Sequence, residues 1–178
     1  MSNDVRKNRT KIQLRDAMIQ LLSEKSFDQI STTELVKRAK VSRSSFYTHY
    51  QDKYDMIEAY QRRLFETIQY VFEKNDGNLY ETMLETFEFL QQNKIYAALL
   101  SENGSKEIHQ FILQKLKDLL QNSIFPKGSR RANLGKVGKI YATTYYANAI
   151  FGTAQSWLRR NQKETPAQIA NLLIELIN

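Results

Sequence analysis

Apolar positions recur at three- and four-residue intervals through most of this chain, the period of one helical face. Leu14, Met18, Leu21 and Leu22 form such a stripe in a first helix over about residues 5–25, and its opening turns carry Arg6, Lys7, Arg9, Lys11 and Arg15. Phe27 and Ile30 fall in a short connector, where they are expected to anchor the chain to the core. Ser31 and Glu34 have capping-box spacing, with Ser31 expected to accept from the Glu34 amide and the Glu34 side chain to return to the Ser31 amide. A second helix follows, with Leu35, Val36 and Ala39 inward. Lys40-Val41-Ser42 is a short break, and Ser42 suits the N-cap of a third helix from about Arg43 to Tyr50, with Phe46 and Tyr50 on its inner face. Asp52 then caps a long fourth helix reaching about Asn75, with Asp55 completing a second box-like spacing. Met56, Ile57, Leu64, Ile68 and Phe72 are its apolar ridge.

Beyond Asp76-Gly77-Asn78 the same period resumes. Leu79, Met83, Phe87 and Leu90 mark a fifth helix, Ile95 to Leu100 a short sixth, and Ile108, Phe111, Ile112, Leu116, Leu119 and Leu120 a seventh that starts after Gly104. Residues 125–133 read as a mobile loop. An eighth helix runs from about Leu134 to Arg160, and Thr165-Pro166 supplies an N-cap and a first-turn proline for a ninth. With only two prolines and six glycines, long helices are permitted and a turn-rich β architecture is disfavoured. The expected fold class is all-α, with about nine helices: a three-helix N-terminal domain over residues 1–52 and a larger helical domain over 53–178.

Composition narrows the function. The 178 residues are 42% hydrophobic and 25% charged, a globular balance. The absence of cysteine excludes disulfides, thiolate metal sites, cysteine nucleophiles and thiol switches. Neither an apolar leader nor a run long enough to span a bilayer is visible, so a soluble, cytoplasmic protein without membrane partners is expected. Of the net charge of +7, residues 1–50 hold ten Lys/Arg against five Asp/Glu. That asymmetry fits a polyanionic partner at the N-terminal end, and equally a solvated basic face.

The helical punctuation bears on that choice. Two helices joined by a tight turn, the second short and polar outward, have the shape a DNA major groove accepts. The outward residues of the third helix are Arg43, Ser44, Ser45, Thr48 and His49, with Tyr47 at its side. An arginine can pair with both guanine O6 and N7, the hydroxyls and imidazole can bond base edges or phosphate, and short side chains at Ser44 and Ser45 allow close backbone approach.

The run from Ile30 to Met56 resembles the N-terminal domain of the TetR family of regulators. The resemblance covers roughly residues 5–60 and is carried by Val41-Ser42, Phe46-Tyr47, Tyr50 and Asp52-Lys53, in order. It implies that Thr32, Tyr47 and Lys53 meet phosphates of double-stranded DNA, and that Thr33, Arg43, Ser44, Ser45 and His49 face the groove. The phenol of Tyr47 could equally serve core packing, since it is amphipathic. Lys40 stands where the family usually has glycine, and a left-handed backbone there costs a non-glycine residue about 1 kcal/mol. A looser resemblance, over Asn93 to Leu100, Tyr145 to Leu158 and Thr165 to Ala170, is to the subgroup related to regulators of dihydroxyacetone kinase operons.

In this family the last two helices form a dimeric four-helix bundle. The candidate homodimer surface here is Ala149, Gly152, Thr153 and Ser156 of the eighth helix, small residues on one face, with Ile169, Leu172, Leu173 and Leu176 of the ninth. The alternative is an intrachain core. Phe65, Phe72, Phe87, Tyr96, Phe111, Tyr141, Tyr145 and Trp157 can line an apolar pocket for a small-molecule effector, or can simply be core. No cofactor or metal is implied, because His49 has no second ligand at metal spacing. Ser45 and His49 are the one nucleophile-base pairing in reach, and without an acidic orienter or oxyanion nest they do not make an enzyme. The expected function is a ligand-responsive repressor acting as a homodimer on a palindromic operator. Activation, or DNA binding without an effector, is the alternative.

Overall fold

The computed structural model describes residues 3–123 and 134–177, with side chains at 7–121 and 134–177. The loop expected at 125–133 lies outside the described residues. Among the described residues nine α-helices follow in order: α1 (Asn3–Glu24), α2 (Thr32–Ala39), α3 (Arg43–Tyr47), α4 (Lys53–Lys74), α5 (Leu79–Gln92), α6 (Lys94–Leu100), α7 (Lys106–Ser123), α8 (Lys136–Arg159) and α9 (Pro166–Ile177), with a 3-10 turn at Phe27–Gln29. No strand occurs among the described residues, so the all-α expectation holds. Packing divides the chain into two compact units, the described residues through Leu64 with Lys94–Ile108, and Phe65–Asn93 with those from His109 onward.

In the first unit, Leu14, Met18, Leu21 and Leu22 of α1 are buried as their spacing predicts. This helix packs against α2 and α6. Asn103, between α6 and α7, clamps the end of α1: its Nδ2 donates to the Leu22 carbonyl at 2.8 Å, and its own carbonyl accepts from the Phe27 amide at 2.7 Å. At the start of α2, Ser31 Oγ accepts from the Glu34 amide at 3.1 Å. The reciprocal half of the expected box is not made, because the Glu34 carboxylate is drawn to the Lys25 ammonium at 2.7 Å. Lys40 closes α2 with φ 55° and ψ 41°, so the turn does require the left-handed backbone for which glycine is suited. The third helix ends at Tyr47, earlier than the Tyr50 expected, although its backbone bonds continue as a turn, with the amides of His49 and Tyr50 both donating to the Phe46 carbonyl.

Asp52 Oδ1 caps α4 by accepting from the amides of Tyr54 and Asp55, each at 2.8 Å. The first residue of that helix, Lys53, is buried at 8% exposure. Its ammonium donates to three backbone carbonyls of the connector, Phe27 at 2.8 Å, Asp28 at 3.1 Å and Ile30 at 2.8 Å. It also lies 4.5 Å from the Phe27 ring centroid and 5.2 Å from that of Tyr54, so two π faces supply further negative potential. Burial lowers the Lys53 pKa, with Asp28 and Asp52 opposing the shift. Three donated hydrogens nevertheless require the ammonium form.

In the second unit α5 packs on α9, and α8 also meets α9. The indole of Trp157 is fully buried, edge-on to Phe87 at 5.1 Å, and donates to the Glu164 carbonyl at 2.8 Å across the turn into α9. Thr165 caps α9 by accepting from the Gln168 amide at 3.2 Å, as the Thr165-Pro166 signature predicts.

Two substitutions should move the midpoint of urea denaturation in opposite directions. Lys40→Gly relieves the left-handed turn and should add roughly 1 kcal/mol. Lys53→Met keeps the apolar stem but removes the donor that Phe27, Asp28 and Ile30 share, leaving the Phe27 carbonyl its bond from the Ile30 amide, and should cost on the order of 1–3 kcal/mol. An unchanged midpoint for Lys53→Met would show that water replaces the ammonium without penalty.

Candidate nucleic-acid interface

The helix-turn-helix is assembled by local chemistry at Ser42. Its Oγ accepts from the Ser45 amide at 3.0 Å, capping α3, and lies 2.9 Å from Ser44 Oγ and 2.8 Å from Ser45 Oγ. These hydroxyls form one small polar cluster at the exposed start of the helix. Thr48 Oγ1 donates back to the Ser44 carbonyl at 2.8 Å, tightening the last turn. Phe46 is fully buried and holds the helix to the core.

The remaining side chains of α3 point away from that anchor. Arg43 is exposed, and its Nη2 donates to Thr33 Oγ1 of α2, which orients the guanidinium without using its other donors. This bridge between the two helices of the motif is not visible in the sequence pattern. Tyr47 is 56% exposed, with its ring edge-on to Phe46 at 5.4 Å, so it is a surface phenol rather than a core residue. Thr33 and Ser44 are exposed, while Thr32, Ser45 and His49 are half-buried. The fold thus brings Thr32, Thr33, Arg43, Ser44, Ser45, Tyr47 and His49 into one two-helix motif.

Lys53 is not part of that surface. Its assignment to a phosphate is corrected, because the ammonium is buried and donates to the three carbonyls of the connector. A signal was present in the sequence: Lys53 stands three and four residues before Met56 and Ile57, in phase with the apolar ridge of α4.

Charge is distributed unevenly over this unit. Asp16 pairs with Arg15, Glu24 with Arg38 and Glu34 with Lys25. These pairs consume acids while Lys7, Arg9, Lys11, Lys37, Lys40 and Arg43 have no carboxylate partner among the described residues. The result is a surplus of uncompensated cations around the motif, the arrangement a polyanion needs. Burial, then Lys11 and Lys7, lower the His49 pKa below the usual histidine value.

The other predicted groups separate. Phe65, Phe72, Phe87 and Phe111 belong to the second unit, and Tyr96 to the first, where its ring meets Tyr60 edge-on at 6.1 Å. Phe87 is core against Trp157. Phe65 and Phe111 meet edge-on at 5.9 Å, with the Lys115 ammonium 4.9 Å and 5.7 Å from their centroids. Tyr141 and Tyr145 are corrected as pocket residues: they are 72% and 66% exposed, in phase with Val137 and Gly152 on the outer face of α8. Ile169 and Leu173 are corrected as dimer residues, since both are buried in α9, whose principal packing is with α5 of the same chain. Leu172 and Leu176 are exposed, at 44% and 68%. Ala149, Thr153 and Ser156 are half-buried, and Gly152 is exposed. No cluster of metal-ligating side chains occurs among the described residues, and none of their helices is long and apolar enough to cross a membrane.

Comparison with known proteins agrees with this architecture. Residues 14–60 match the family described as bacterial regulatory proteins, tetR family, and residues 77–178 match the transcriptional regulator C-terminal region of TetR type. The chain is 23% identical over 174 residues to the uncharacterized HTH-type transcriptional regulator YxbF of Bacillus subtilis, covering 93% of this chain and 44% of that protein. It therefore spans less than half the length of that relative. It is 26% identical over 165 residues to the HTH-type dhaKLM operon transcriptional activator DhaS of Lactococcus lactis, covering 88% of this chain and 84% of DhaS. Among solved structures, NalD of Pseudomonas aeruginosa, the secondary repressor of the MexAB-OprM multidrug efflux pump, superposes with a TM-score of 0.70 at 20% identity, covering 96% of each chain. Two family matches that together take in both the helix-turn-helix and the helices beyond it place the chain in the TetR family of bacterial transcriptional regulators, DNA-binding proteins rather than enzymes.

Proposed function

We propose that this regulator is a ligand-responsive repressor that works in the cytoplasm as a homodimer on a palindromic operator. Residues 1–52 supply the reading surface and residues 53–178 the dimer and effector functions. The observation that carries the reading is the exposed Arg43, held by Thr33 on a motif crowded with unpaired cations. A guanidinium fixed at one nitrogen keeps the donors that reach guanine O6 and N7. The exposure of Tyr47, one turn further along α3, supports a phosphate contact there. The resemblance to an activator, DhaS, favours activation as a second reading. Reporter transcription in a deletion strain separates the two, by rising for a repressor and falling for an activator.

Two copies are needed because successive major-groove faces lie about 34–36 Å apart. Val137, Ile140, Tyr141, Tyr145, Leu172 and Leu176 leave an apolar surface exposed on α8 and α9. A Cβ at Gly152 meets nothing within 4 Å among the described residues, so the missing side chain serves no packing with them. A second copy approaching there accounts for it. The effector seat is best supported at Phe65 and Phe111, where two half-buried ring walls stand beside a cation.

Three outcomes are expected. Arg43→Ala should cost roughly 1–3 kcal/mol per half-site on the operator found by genome-wide footprinting, and much less on random duplex. Equal losses on both would make Arg43 a phosphate anchor and move base reading to Thr33, Ser44, Ser45 or His49. Gly152→Glu should turn the dimer into a folded monomer in sedimentation, whereas a monomeric wild type that still binds one operator tightly would end the dimer reading. Any small molecule that stabilises the protein in a thermal screen should change operator affinity by the same factor by which operator changes its own. A stabilising compound that leaves operator affinity untouched is not the effector.

A further inference from the structure

Among the described residues two lysines stand over aromatic rings, and only one of them has its hydrogens met. Lys53 gives three hydrogens to carbonyls of the connector. Lys115 has the rings without the carbonyls. Its ammonium lies 4.9 Å from the Phe65 centroid and 5.7 Å from that of Phe111, yet it donates to no acceptor and pairs with no carboxylate among the described residues. Phe65 comes from α4, and Phe111 from α7, one turn before Lys115 on the same helix. The rings meet edge-on at 5.9 Å, and all three residues are half-buried. Neighbouring acids are engaged elsewhere. Asp118, the nearest on α7, accepts from Gln114 at 3.1 Å, while on α4 Glu58 pairs with Arg62 at 3.1 Å and Glu73 accepts from Gln69 at 2.7 Å.

A ring face offers a cation negative potential but no lone pair for its N–H bonds. Lys115 therefore keeps its donors and its charge for an outside acceptor, beside walls that favour an apolar body. The combination discriminates by charge. Two rings alone would suit a protonated or quaternary amine, which prefers aromatic faces, but an ammonium already standing there repels one. A neutral ligand would cover the walls and leave the charge unmet. A carboxylate accepts charge-assisted bonds from the ammonium while the body it carries covers the rings. We propose that Phe65, Phe111 and Lys115 form a site for organic carboxylates, with Lys115 as the counter-ion and the two rings as the seat of the apolar body. This rests on the effector reading of the same rings above, and adds to it the charge of the ligand.

The probes are phenylbutyrate, phenylbutyramide and phenylbutylamine, which share one apolar body and at neutral pH carry an anionic, a neutral and a cationic head. Each is titrated into the full chain at up to millimolar concentration, with affinity read by isothermal titration calorimetry. The carboxylate should bind about tenfold or more tightly than the amide, and the amine least of all. Added salt should weaken the carboxylate and leave the amide as it was. Lys115→Met, which keeps the apolar stem, should bring the carboxylate down to the affinity of the amide, and Lys115→Arg should keep the preference. Circular dichroism checks that both variants fold, and the order of the heads in the wild type, with its salt dependence, decides the matter if they do not. An amide that binds as well as the carboxylate, a preference that survives Lys115→Met, or no measurable binding of the carboxylate overturns the anion site. The effector seat is judged separately. It stands if a ligand from the thermal screen, whatever its charge, loses its effect in Phe65→Ala or Phe111→Ala, and falls if every such ligand is indifferent to both rings.

Discussion

The reading motif depends on one buried cation. The connector between α1 and α2 turns through a 3-10 segment whose carbonyls at Phe27, Asp28 and Ile30 converge on one point, the Phe27 carbonyl also accepting from the Ile30 amide at 3.1 Å. Carbonyls left unmet on buried residues such as Ile30 are costly. The Lys53 ammonium meets all three and so ties the start of α4 to the end of α1. The segment threaded between those two ends is the helix-turn-helix itself. A group that would serve DNA from the surface serves here by fixing the frame on which Arg43 and Tyr47 are displayed.

Electrostatics then separates two kinds of basic residue. Arg15, Lys25 and Arg38 are matched by neighbouring carboxylates, and exposed pairs of this kind contribute little to stability. Their effect is to remove acids from competition, so that Lys7, Lys11, Lys37, Lys40 and Arg43 present an unbalanced potential. Lys40 shows the same priority. It occupies a left-handed backbone position at a cost of about 1 kcal/mol, where glycine would be relaxed but uncharged.

Much of this was legible in the sequence, for identifiable reasons. The order of the helices followed from apolar periodicity and from caps at Ser31, Ser42, Asp52 and Thr165, which are local codes. The outward residues of α3 followed from helical spacing, and Thr32 and Thr33 of α2 from the resemblance to the TetR family. What stayed hidden depends on residues distant in sequence. Thr33 meets Arg43 across a turn, and Glu34 is diverted to Lys25. Two errors were avoidable from phase alone. Lys53 is in register with Met56 and Ile57, and Tyr141 and Tyr145 are in register with Gly152 rather than with the buried Ala147, Ile150 and Ala154. Aromatic character suggested a pocket for these tyrosines, but helical phase places them on the outer face.

The clamp at Asn103 has a consequence for how the molecule is made. The first packing unit is discontinuous: it includes Lys94–Ile108, and Asn103 reaches back 81 residues to the carbonyl of Leu22. On the ribosome, the helices that display Arg43 emerge well before the residue that closes their support. The nascent reading head must therefore wait, with the Leu22 carbonyl and the Phe27 amide open, until α6 and the turn beyond it have been synthesised. A fragment cut after α4 carries every residue of the recognition surface and still lacks the piece that completes its core, so surface and scaffold are inherited from different stretches of the gene.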